Sequence, residues 1–568
     1  MYRPVLDSVG GSLALTAIFA ALPLLILFVL LGALRMKAWV ASLIALGIAV
    51  AVAVVAYSMP VGQVVLVGLE GAVFGFFPIL WIVINAIWLY NMTVTTGHFD
   101  VLRRSFGKIS DDQRIQGVII AFCFGALLEA LAGFGTPVAI TSVMLIALGF
   151  RPIKAATVAL VANTAPVAFG ALAVPITTLA AVTGLPQSQL AAMVGRQTPI
   201  LALFVPIILV FIIDRGRGVR ATLPATLTVG ITFAVTQFIT SNFLSVPLTD
   251  VVAALASAGA VVLLLRVWQP ANSYVEEREL VEVGARAGAP KASAPAGGGD
   301  HPVGAGVGSV DELAARDAGQ HDTPVEVLRA YSPYLIIIVV FVIAQIPAVK
   351  AALDSVTQIF VWPGLNLQTA GGDPSKIPLF KFNWLGSPGT LMIFAGLLTI
   401  PAIGISLGKA AKAYAHTYRQ LALAIITVMA VLALAYVMNA SGQTGTLGAW
   451  LAGAGALFAL ISPVMGWLGV AVTGSDTSAN SLFGALQVAA AGKTGLDPVL
   501  MAAANSSGGV LGKMISPQNL AIAAGAVGMA GREGDLFRKV IGWSLGFLAF
   551  MAVLIFLQST PILSWMVP

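Results

Sequence analysis

The chain has 568 residues, 58% of them hydrophobic and only 10% charged, with a mean hydropathy of +0.95. Soluble domains carry about one quarter charged residues, so this composition excludes a soluble globular fold and describes a polytopic membrane protein. The lone Cys123 excludes an internal disulfide, and the net charge of +6 resides in short loops rather than in a nucleic-acid-binding patch.

In chain order, the apolar run 12–34 follows a single Arg3 and is longer than the apolar core of a secretory signal. It ends without a small-x-small cleavage site and reads as a retained span. Spans 38–57, 62–97, 154–183, 187–213, 220–242 and 249–268 follow, each near or above the ~20 residues that cross ~30 Å of hydrocarbon. Residues 269–330 ("GAPKASAPAGGGDHPVGAGVG" within them) are rich in Gly, Ala, Pro and charge and cannot bury a core. They predict a disordered cytoplasmic linker between a first membrane half, 1–268, and a second, 331–568. Spans 332–347, 389–407, 415–440, 497–530 and 540–558 complete the second half.

Basic residues cluster at Arg35/Lys37, Arg103/Arg104/Lys108/Arg114, Arg215/Arg217/Arg220, Lys409/Lys412/Arg419 and Arg532/Arg538/Lys539. The positive-inside rule makes these loops cytoplasmic. Segments 113–150 and 446–492 are then left over. Each is two short apolar arms around a polar, glycine-rich tip, and each must return to its own face; re-entrant hairpins do that. Irregular backbone at membrane depth survives only under a cover of protein or in a wet cavity, so both tips are expected inside the bundle.

The two halves echo each other. "GFGTP" from Gly133 matches "GSDTS" from Gly474, and "ANTAPVAFGALAVPITTLA" from Ala162 matches "ANSSGGVLGKMISPQNLAIA" from Ala504. The offsets, 341 and 342, pair Asn163 with Asn505, Gly170 with Gly512 and Pro175 with Pro517. "NMTVTTG" (91–97) and "NASGQTG" (439–445) also correspond, but the basic loops place them on opposite faces. The expected fold is therefore an all-α polytopic membrane protein, with about 12 transmembrane helices plus two re-entrant hairpins in an inverted-topology repeat. Secondary transporters use this layout.

Symmetry brings four polar segments together, the tips 133–137 and 474–481 and the breaks 163–176 and 505–519. Proline disrupts the preceding turn, so 154–183 and 497–530 are each expected to be two half-helices joined by unwound chain. Half-helix N-termini carry partial positive charge and attract carboxylates. With hydroxyl and amide groups from Gly135, Thr136, Asn163, Thr164, Ser475, Thr477, Ser478, Asn505, Ser506 and Ser507, they suit a small oxygen-rich anion. Lys513, which replaces Ala171 of the first copy, could hold a substrate carboxylate, or pair with Asp476, or snorkel.

Glu129 shares a helix face with Gly125, Ala126 and Gly133, a stripe that points it into protein. An ionised carboxylate at mid-membrane costs at least ~2.5–3.5 kcal/mol. A proton-coupling role competes here with a carboxyl kept neutral or paired with Lys513 or Lys154. Asp476 is a second proton candidate or an N-cap of the returning arm; Glu70 is a third, weaker one. Arg196 and Arg538 read as interfacial anchors. His98, His301, His321 and His416 lack metal-site spacing, and neither metal nor cofactor is expected.

The motifs "EALAGFGTPVAI", "GSDTSANSLFGALQ" and "ANSSGGVLGKMISPQNLAIA" resemble those of the bacterial lactate permease family. The resemblance implies a symporter of the inner membrane that carries L-lactate, D-lactate or glycolate with a proton. It also implies an elevator motion, in which hairpins and broken helices move against a fixed scaffold. Its partners would be the monocarboxylate, the proton and the bilayer, with no nucleic acid and with a homo-oligomer left open. The residues alone reach only a secondary transporter for a small anion. A sodium-coupled carboxylate carrier, a channel and an intramembrane hydrolase built on Ser506 or Ser507 with Lys513 stay open at this point.

Overall fold

The computed structural model describes residues 1–107, 109–133, 135–274 and 322–568, and these are mostly helical. Among the described residues, ten helices are long and apolar enough to cross a membrane, eleven if Pro152–Ala162 and Val167–Thr183, bent by 63°, count as one span. The expected spans 187–213 and 220–242 fall inside one segment, Gln187–Leu244. Its backbone leaves helical geometry at Asp214 and Arg215. Pro388–Ala402 is apolar but only 15 residues long, shorter than the predicted span 389–407.

Most of the expected linker, residues 275–321, lies outside the described residues, with His301 and His321 in it. Its predicted end at 330 is too late. Helix Pro324–Gln345 begins at a capping box in which the Thr323 hydroxyl accepts from Glu326 N and the Glu326 carboxylate accepts from Thr323 N. The charges of Glu326 and Arg329 hide this first turn from a hydropathy reading.

Helices from the two halves meet in a close crossing. Val61–Phe74 packs on Leu407–Ser441 so closely that a Cβ on Gly71 would lie 2.8 Å from Leu432 O. Further along, Trp88 Nε1 donates to Ala410 O (2.9 Å) and Asn91 Nδ2 to Thr417 Oγ1 (2.9 Å). Between Gln345 and Pro388 lies a cap with no counterpart in the sequence reading. It comprises helix Pro347–Ser355 and two antiparallel strands, Gln358–Val361 and Leu379–Phe382, with Gln358 opposite Phe382. The N-terminus is stitched to it by Tyr2 N to Asn366 O (2.9 Å) and Gln368 N to Tyr2 O (2.8 Å).

Each of the two leftover segments holds a pair of apolar helices joined at a glycine-rich turn. The first joins Gln113–Leu131, buried along its whole length, to Thr136–Ala147. Asp112 caps it by accepting from Arg114 N and Ile115 N. The second joins Phe458–Thr473 to Asp476–Thr494. The chain reverses through left-handed glycines, Gly135 (φ +80°) and Gly474 (φ +73°), a conformation that costs other residues energy.

The two broken helices differ, and this corrects the symmetric expectation. In the first copy the helix Pro152–Ala162 stops at Asn163, and Ala171, Leu172 and Ala173 adopt left-handed geometry before the second half resumes. In the second copy Pro498–Gly512 runs unbroken through Asn505, Ser506 and Ser507 and unwinds only at Lys513–Ser516, ahead of Pro517–Ala526. One residue accounts for the shift. Pro166 of the first copy is replaced at the 342 offset by Gly508, which keeps its N–H and lets the helix continue.

Candidate functional site

Several of the sequence-predicted residues meet in two buried clusters along Pro498–Gly512 and its C-cap, Lys513. At its C-terminal end, Lys513 Nζ pairs with Glu129 Oε1, and Asn163 Nδ2 donates to Glu129 Oε2 (2.9 Å). Glu129 comes from the first hairpin, Asn163 from the first break and Lys513 from the second, so three segments spanning both halves meet at one carboxylate. Glu129 is 3% exposed and Lys513 6%. Of the readings left open for Glu129, pairing with Lys513 is the one observed; Lys154 Nζ reaches Ile213 O instead (3.0 Å). Lys513 likewise pairs with Glu129 rather than snorkelling.

Seven residues earlier, about 10 Å along the helix, Ser506 Oγ donates to Asp476 Oδ2 (2.6 Å) and Asn480 Nδ2 approaches the same oxygen (3.3 Å). Asn505 Nδ2 donates to Asn480 Oδ1 (2.9 Å), and Gln487 Nε2 donates to Asn505 Oδ1 (3.2 Å). Asn480 Nδ2 also lies 3.2 Å from Pro175 O of the first broken helix. The N-cap of this arm is Ser475, whose hydroxyl accepts from Ser478 N (3.3 Å), so Asp476 is free of the capping task it was a candidate for.

Both tips converge on the start of Pro517–Ala526. A Cβ on Gly135 would lie 2.4 Å from Ile522 Cδ1 and 3.3 Å from Asn519 Oδ1, and one on Gly474 would lie 2.5 Å from Gln518 Oε1. Thr136, Ser475 and Thr477 are half-buried here. Asn163 Oδ1, Thr164 Oγ1, Ser507 Oγ and Asp476 Oδ1 are buried without a hydrogen-bond partner among the described residues. Unsatisfied polar atoms are costly in a membrane interior, so these four mark positions where a polar guest would be favoured. Ser506 is engaged with Asp476 and Lys513 with Glu129, so the Ser–Lys pairing that a hydrolase would need is not assembled.

Glu70 stands elsewhere, buried on helix Val61–Phe74. Arg196 holds Asn242 Oδ1 (3.0 Å) and Met566 O (2.9 Å), while Arg538 pairs with Asp535 (2.6 Å) at the protein surface. The sequence reading missed Asn480 and Gln487, although their spacing from Asp476 (four and eleven residues) sets them on one helical stripe. It also missed Asp250, fully buried and accepting from Gln237 Nε2 (2.8 Å), because an acid at the start of a span reads as a helix-terminal charge.

Comparison with known proteins decides the family. The profile described as L-lactate permease matches residues 16–562. The chain belongs to the L-lactate permease family. Within that family it is 41% identical to the L-lactate permease of Bacillus subtilis, covering 100% of this chain and 99% of that one. It is also 41% identical to the glycolate permease GlcA of Escherichia coli, over 98% and 97% of the two chains. The L-lactate permease of Escherichia coli is 39% identical over 98% of each. A solved structure, the YdaH transporter of Alcanivorax borkumensis, covers 86% of each chain at 16% identity and a TM-score of 0.40. So loose a superposition fixes no helix-by-helix correspondence, and the equivalences used here rest on the internal repeat.

Proposed function

We propose that this chain is a proton-coupled symporter that takes up L-lactate and related short 2-hydroxymonocarboxylates, D-lactate and glycolate, across the cytoplasmic membrane. End-to-end similarity to lactate and glycolate permeases supports the substrate class. The observation that carries the coupling is the buried Glu129–Lys513 pair. When the site is empty, the Glu129 carboxylate occupies the cation. A proton on Glu129 releases Lys513, and the substrate carboxylate takes its place. The empty pair is neutral, and so is the state with protonated Glu129, Lys513 and substrate anion. Substrate alone would leave one negative charge buried and proton alone one positive charge; burying an unpaired charge costs several kcal/mol. Only the neutral states move readily through the bilayer, which couples one proton to one anion.

In this reading Asn163 holds the Glu129 side chain. Thr164, Ser507 and the tip residues Gly135, Thr136, Ser475, Thr477 and Ser478 receive the substrate's hydroxyl and second carboxylate oxygen, with Asn505 and Ser506 setting the frame behind them. Twelve crossings and two re-entrant hairpins follow if Gln187–Leu244 is two spans and Pro388–Ala402 is a short one. Hairpins and broken helices would then slide against the scaffold of Val61–Phe74 and Leu407–Ser441 in an elevator motion. The basic loops and the linker face the cytoplasm, and the cap at 346–387 faces outward.

The test is uptake of L-lactate into proteoliposomes under an imposed pH gradient, compared with a sodium gradient. Accumulation is expected to follow ΔpH and to ignore sodium; uptake that tracks sodium and not ΔpH would sink the proton reading. A second measurement separates the two acids. Asp476→Asn, which preserves shape, is expected to retain ΔpH-driven accumulation. Its loss there, with Glu129→Gln unaffected, would move the coupling to Asp476.

A further inference from the structure

A cavity of about 730 Å³ lies between the scaffold and the mobile elements, beneath the cap. Its walls include Glu70, Tyr436 and Asn439 on the scaffold, Thr177 on the first broken helix and Ser481 on the second hairpin. Lys376 and Lys381 of the cap complete it. Neither cluster described above contains these lysines or Glu70. The cavity nevertheless leads toward them: Ser481 follows Asn480, whose amide reaches Pro175 O, and Thr177 lies two residues beyond that proline.

The chemistry of the cavity is specific. The two lysines are exposed and sit on or beside strand Leu379–Phe382. They lie at the end of Pro388–Ala402 opposite the basic turn at Lys409, about 22 Å away by helix length. Glu70 is 1% exposed, and its Oε2 has no partner among the described residues. Tyr436 and Asn439, from the packed helix Leu407–Ser441, face it across the wall, and the two lysines lie across the cavity. Ala38–Val55, which also packs on the Glu70 helix, contributes no ionisable side chain. The lining therefore holds one carboxyl, one phenol and two ammonium groups.

We propose that this cavity is a proton-gated capture site for the anionic substrate, with Lys376 and Lys381 as the cationic rim and Glu70 as the gate. The lysines raise the local concentration of small monocarboxylates at the mouth, an effect that weakens as salt screens it. Glu70 decides passage. Ionised, it repels an incoming carboxylate inside a cavity walled by protein; protonated, it removes the repulsion and offers a hydroxyl donor. The order of events is then proton first, anion second. This proposal rests on the transport reading above.

The experiment uses the full chain in proteoliposomes with L-lactate as probe, measuring initial rates against concentration, salt and external pH. Lys376→Gln/Lys381→Gln is expected to raise KM about five- to tenfold at low salt, keep the maximal rate and flatten the salt dependence. Glu70→Gln is expected to remove most of the rise of KM with external pH; Glu70→Asp, should the glutamine variant not insert, is expected to displace the midpoint of that rise. Wild-type KM, salt slope and pH profile in the lysine and Glu70 variants would overturn the capture site while leaving transport intact. A wild-type protein that carries neither lactate nor glycolate would overturn the transport reading and the capture site with it.

Discussion

Glu129→Gln is expected to abolish ΔpH-driven accumulation of lactate while leaving counterflow exchange measurable. The glutamine keeps the hydrogen bond from Asn163 but can no longer alternate between charged and neutral forms. It also leaves Lys513 buried without its counter-charge, and breaking one side of a buried pair typically costs about 3–5 kcal/mol. A lower melting temperature in detergent should therefore accompany the functional loss. Lys513→Gln should be equally destabilised and should lose substrate binding rather than coupling, since the cation itself is gone. The double variant removes both charges. It is expected to recover most of the stability of the wild type and none of its transport, a split that separates the structural role of the pair from its chemical one. Concentrative uptake at the wild-type level in Glu129→Gln would take that residue out of the mechanism.

The second large effect is steric. Phe458–Thr473 and Pro498–Gly512 cross so closely that a Cβ on Gly466 would sit 1.9 Å from Asn505 O, and one on Gly508 would sit 2.1 Å from Pro463 O. The obstacles are backbone atoms, which cannot swing aside, and membrane helices rely on such small-residue contacts for packing. Gly466→Ala and Gly508→Ala are each expected to cost more than the ~1–3 kcal/mol of ordinary overpacking and to eliminate monodisperse protein on size exclusion. Gly47→Ala makes a fair control. It lies within Ala38–Val55 with nothing within 4 Å of the added carbon, and should be neutral or stabilise by up to ~1 kcal/mol. A Gly466→Ala protein that purified and melted like wild type would contradict the observed crossing.

Much of the site was legible because a duplicated chain writes its register twice. The 342 offset placed Asn163 against Asn505 and Pro175 against Pro517, and the prolines do begin or interrupt the second half-helices. Glycine at both hairpin tips marked reversals that only left-handed backbone makes cheap. The symmetric reading failed where the copies differ in one residue: with Gly508 in place of Pro166, the second helix continues through Asn505 and breaks about two turns later. The cap at 346–387 escaped because its strands are four residues each and the loop between them is tied to the N-terminus at Tyr2, a contact that no local pattern carries. The partner of Glu129 was one of two candidates until the fold brought Lys513, rather than Lys154, to it. Burial alone says that a charge needs company; only the tertiary path says whose.

The Glu129–Lys513 pair also constrains how the chain is made. The two residues are 384 positions apart. At synthesis rates of about 5–20 residues per second, Glu129 precedes its partner by roughly 20–80 s. For that interval the first half holds its acid without a counter-ion, and the least costly form of it is protonated. On the coupling proposed above, the carboxyl that takes up a proton in transport would thus first hold one during biogenesis, until the second half supplies Lys513.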